Sequence, residues 1–148
     1  MKWISKLFYL SPRDRRLLVT AAFLLTVFKL GLLLLPFQKL RNLMVRLLRP
    51  SRKLVGKAHA TAKEVAWAVS VASRHIPGTG SCLPVALATH ALLNYFGLPA
   101  DLRIGVRHNR EGEFQAHAWV ESRNGVLICD LENLAQFTPL PHLDQKTP

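Results

Sequence analysis

Three residues of this 148-residue chain have the types and the order of a covalent catalyst: Cys82, His117 and Asp130. A thiol supplies the nucleophile. An imidazole takes its proton and later hands it to a leaving amine. A carboxylate fixes the imidazole's tautomer and stabilises its cation. The thiolate is the reactive form, and an ordinary thiol titrates at about pH 8.5. A helix N-terminus or a neighbouring imidazolium lowers that to roughly 3.5–7.5.

The elements around these residues supply such a setting. Gly78 and Gly80 make a flexible loop, and Ser81 suits an N-cap. From Leu83 the apolar positions suit a buried helix, and Pro84 is tolerable only in its first turn. Gly97 marks its C-terminal end, and Pro99 forbids continuation. Cys82 therefore belongs to a first turn, where unpaired N–H groups and the helix dipole favour an anion. Strands follow. Leu102, Ile104 and Val106 alternate with Arg103, Gly105 and Arg107. Phe114, Ala116, Ala118 and Val120 alternate with Gln115, His117, Trp119 and Glu121. Arg123-Asn124-Gly125 is a tight-turn signal, with Val126 to Asp130 as the partner strand. The hairpin predicts His117 and Asp130 on adjacent strands, with the cysteine helix packed on the sheet.

At these residues the chain resembles a known family, the leader peptidases of lasso peptide biosynthesis, of the microcin-maturation B type. The resemblance is carried by Cys82-Leu83, Ile104-Gly105-Val106 and the run Ala116-His117-Ala118-Trp119-Val120-Glu121, within about residues 75–141. It implies an α+β fold: N-terminal helices, then a transglutaminase/papain-like core with its cysteine helix packed on an antiparallel sheet. It implies Cys82, His117 and Asp130 as the triad. It also implies an activity linked to ATP, removal of the leader from a ribosomally made precursor peptide, and a separate cyclase that closes the macrolactam. Ser81 and Trp119 are candidates for substrate or oxyanion contacts. Trp119 shares a strand face with His117, so it suits shielding of the imidazole or plain core packing equally.

Charge divides the chain. Residues 1–60 hold 13 Lys and Arg against one acid, Asp14, whereas residues 61–148 hold seven against eight. The excess of +11 therefore belongs to the front. A basic front suits an acidic peptide, a membrane or nucleic acid, or simply a solvated helix face. The expected division is a helical region over 1–75 packing on a peptidase core over 76–148. Ser11-Pro12-Arg13-Asp14 reads as a capping box, and a helix runs from about Pro12 into the apolar stretch Leu17 to Phe37, ended or kinked by Pro36. Twenty-one residues span about 31 Å, enough for a bilayer. Fourteen strongly apolar side chains there favour insertion by roughly 4–8 kcal/mol, against about 3 for the central Lys29. A buried or partner-facing helix is the first reading, and membrane association the second. Leu40, Leu43, Met44, Leu47 and Leu48 recur at helical spacing, and another helix covers about Ala60 to Ser73, with Trp67 expected in the core.

Two cysteines make no disulfide framework, and Cys129 in an apolar strand reads as a core thiol, so a cytoplasmic setting is expected. The six histidines lack metal-ligand spacing, so no metal is expected. Gly78-Thr79-Gly80-Ser81 lacks a phosphate loop's lysine, so ATP rests on the resemblance alone. The first functional reading is a cysteine peptidase acting on a leader–core precursor. No strand-rich leader-gripping module precedes it, so a separate small recognition protein is expected as partner, beside the cyclase. Peripheral membrane contact is a further possibility, and nucleic acid is not expected. The alternatives are a transglutaminase-like acyl transferase, or a non-catalytic basic membrane or partner adaptor.

Overall fold

The computed structural model describes residues 2–47, 60–76, 82–123, 125–128 and 134–140. Among the described residues, five helices precede a small sheet: α1 (Lys2–Phe8), α2 (Pro12–Leu34), α3 (Phe37–Leu47), α4 (Ala62–His75) and α5 (Cys82–Tyr95). The strands are β1 (Asp101–His108), β2 (Phe114–Ser122), β3 (Gly125–Ile128) and β4 (Thr138–Pro139), in the order β3-β2-β1-β4. All three pairings are antiparallel. This is the α+β class the sequence implies.

Local chemistry sets the helix limits. Ser11 caps α2 by accepting from the Asp14 N–H at 3.2 Å, with Pro12 in the first turn. The reciprocal capping box stands instead at α4: Glu64 N–H donates to Thr61 Oγ1, and Thr61 N–H donates to Glu64 Oε2 at 2.7 Å. Helix α5 ends in a Schellman motif. Leu98 N–H reaches Leu93 O, Gly97 N–H reaches Asn94 O, and Gly97 takes the left-handed conformation (φ 70°). Gly31 lets α3 close on α2, since a Cβ there would stand 2.6 Å from Leu40 Cδ1, and Leu40 is buried.

One apolar core joins α2, α4, α5 and one face of the sheet. Helix α2 contributes Leu17, Leu18, Ala21, Leu24, Leu25 and Phe28; α5 is buried almost all round, from Pro84 to Leu93. The sheet adds Leu102, Ala118, Val120 and Ile128. Helix α2 is thus a core element, although it is also long and apolar enough to cross a membrane. One detail departs from the sequence reading. Trp67, expected in the core, is 42% exposed, because the buried face of α4 is made by Val65, Ala66, Ala68, Val69 and Ala72.

Candidate active site

Strand parity splits β2 in two. Ala118 and Val120 enter the helical core, whereas His117 and Trp119 point to the other face and are buried there. The His117 and Trp119 rings stack at 6.0 Å with 20° between planes. Phe137, just after the 3-10 turn Leu134–Gln136, also leans on His117, at 5.5 Å. The imidazole is therefore lined by two aromatic rings and is only 9% exposed.

A polar relay holds these walls. The Trp119 indole N–H donates to Glu121 Oε2 at 3.3 Å, and Glu121 Oε1 receives Arg103 Nε at 2.6 Å. That pair is partly exposed, so its direct contribution to stability is about 0–1 kcal/mol; its effect is to aim the indole. With the N–H given to Glu121, the Trp119 ring lies against His117, an arrangement that suits shielding and core packing alike. Arg107 lies 4.6 Å over the Phe137 ring and bonds Gln136 and Gln115, tying the wall to β1 and β2. Strand β4 completes the tie: Gly105 pairs with Pro139 on one side and with His117 on the other.

Gly105 is the close-approach point. A Cβ there would stand 2.9 Å from Phe137 Cβ and 2.9 Å from Trp119 Cη2 and Cζ3. Both walls would have to move, and Phe137 Cβ is fixed to backbone. Gly105→Ala is expected to cost about 1–3 kcal/mol by overpacking and to lower turnover by displacing the walls of His117. Urea denaturation and a rate assay on one preparation check this; an unchanged midpoint and rate would show that the contact yields freely.

Cys82 is the first residue of α5, partly exposed and in no disulfide. Helix α5 packs against β2 on the side of Ala118 and Val120, whereas His117 points to the other face, so helix packing alone does not set the distance between thiol and imidazole. Asp130, Ser81 and Cys129 lie outside the described residues. Among the described residues, no three of His, Cys, Asp and Glu converge as metal ligands would. Sequence reasoning missed Phe137 and the reason for Gly105.

A thiol opening a helix, with a shielded imidazole on the strand beside that helix, suits nucleophilic acyl chemistry. The Transglut_core3 family, described as the transglutaminase-like superfamily, matches residues 22–142. The chain belongs to the transglutaminase-like superfamily, whose members are typically cysteine peptidases or acyl transferases. No curated protein and no solved structure matches it.

Proposed function

We propose that this chain is a cytoplasmic cysteine peptidase that removes the leader from a lasso peptide precursor. The supporting observation is the strand Ala116–Glu121, whose His117 is walled by Trp119 and Phe137, in a superfamily chain whose Cys82 opens a helix packed on that strand. On this reading His117 takes the Cys82 proton, and the thiolate attacks the scissile carbonyl. The first-turn N–H groups of α5 face the oxyanion. Collapse of the tetrahedral intermediate breaks the C–N bond, and the imidazolium protonates the departing amine of the core peptide. Water, deprotonated by His117, then releases the leader as a free acid. Asp130 orients the imidazole.

The described residues ahead of Cys82 are all helix or connection, with no strand among them. That supports a leader-recognition protein separate from this chain, with the cyclase acting on the released core. Reconstitution tests both points. The chain plus precursor and recognition protein is expected to yield leader acid by mass spectrometry, and the chain alone far less. Full-rate, leader-specific cleavage by the chain alone would refute the split arrangement. An amide adduct in place of the acid would make it an acyl transferase.

A further inference from the structure

We propose that the outer face of α2 docks flat on an anionic lipid bilayer, independently of the chemistry at Cys82. Helix α2 has two apolar faces. The inner face fills the core, with Leu25 and Phe28 almost fully buried. The outer face carries Val19, Phe23, Leu30, Leu33 and Leu34, each more than half exposed. At 3.6 residues per turn these five occupy an arc of about 100°, opposite the buried set. An exposed apolar stripe of this kind marks an interaction surface.

Two features favour lipid as its occupant. The first is the polar group on the arc. Thr26 donates its hydroxyl to Ala22 O at 2.9 Å, within its own helix, and neighbouring Thr20 does the same to Arg16 O at 2.8 Å. Neither hydroxyl needs water, so the face can be dehydrated without orphaning a donor. The second is charge. The arc runs into Arg15 and Arg16 at its N-terminal end, within a segment holding 13 cationic residues against one acid. Headgroup phosphates complement that excess, whereas a second copy would bring like charges together. Exposed Ile4, Phe8 and Tyr9 of the N-terminal segment add apolar side chains for the interface. Spanning is opposed by the inner face, because crossing the bilayer would strip Leu25 and Phe28 from the core.

The test uses the full chain with vesicles of phosphatidylglycerol and phosphatidylethanolamine, and with phosphatidylcholine alone as control. Flotation with the anionic vesicles is expected, weakened but not abolished by salt. Phe23→Ser with Leu30→Ser is expected to weaken it roughly ten- to a hundredfold while leaving the thermal midpoint in place. Phe23→Trp needs no stability argument: its added fluorescence is expected to be quenched by lipids brominated in their acyl chains. A chain that stays soluble beside anionic vesicles would overturn the proposal. So would equal flotation of the serine variant, or an unquenched Trp at position 23. A self-associated chain that the serine variant renders monomeric, with no vesicle binding, would assign the stripe to protein contact instead.

Discussion

Cys82→Ala is expected to abolish precursor cleavage while the protein stays folded. The side chain is partly exposed at the first position of α5, so truncation opens no large cavity. The helix keeps its Gly97 cap and its buried face. On the proposed mechanism the reaction instead loses the atom that forms the acyl-enzyme, and loss of a nucleophile or its base in a serine protease costs about 10⁶ in kcat. His117→Ala is expected to be nearly as damaging, and it also leaves a gap between Trp119 and Phe137. Asp130→Asn is expected to be comparable or milder; the equivalent change in a serine protease costs about 10⁴. Circular dichroism with product mass spectrometry reads both fold and chemistry. A folded Cys82→Ala protein that still cleaves would remove Cys82 from the mechanism.

The second large effect is on stability. Phe28→Ala is expected to cost about 3–5 kcal/mol, a large share of a total near 5–15 kcal/mol. Phe28 is 1% exposed within the α2–α4–α5 core, whereas Phe23, on the same helix, is 66% exposed. Phe23→Ala is therefore expected to change stability by about 0.5 kcal/mol or less. The pair has identical chemistry on opposite faces, so the difference in urea midpoint measures burial alone. Equal midpoints would mean that α2 is not part of the folded core.

Punctuation residues made much of this fold legible in advance. Pro12 and Pro36 bracket α2, Pro84 and Gly97 bracket α5, and period-two alternation marks β1 and β2. What α2 buries was not legible, because a segment apolar all round carries no facial contrast: Phe23 and Phe28 look alike until α4 and α5 are placed. Trp67 misled for a related reason. Its size suggested the core, but the close approach of α4 is made by alanines and valines. The placement of the candidate residues was legible where pattern is strong, with Cys82 opening a helix and His117 on a strand. Phe137 was not, because β4 has two residues, too short for any alternation, and its partners lie some thirty residues upstream on β1.

That distant pairing has a consequence for the order in which a newly made chain becomes competent. Translation delivers the helices first and β2 later, and N-terminal parts fold while the rest is still being made. The aromatic wall that Phe137 places against His117 arrives after every other described element except β4 itself. Until then the imidazole faces water on that side. The packing around His117 is thus completed only when residues 134–140 have been made and β4 has paired with β1.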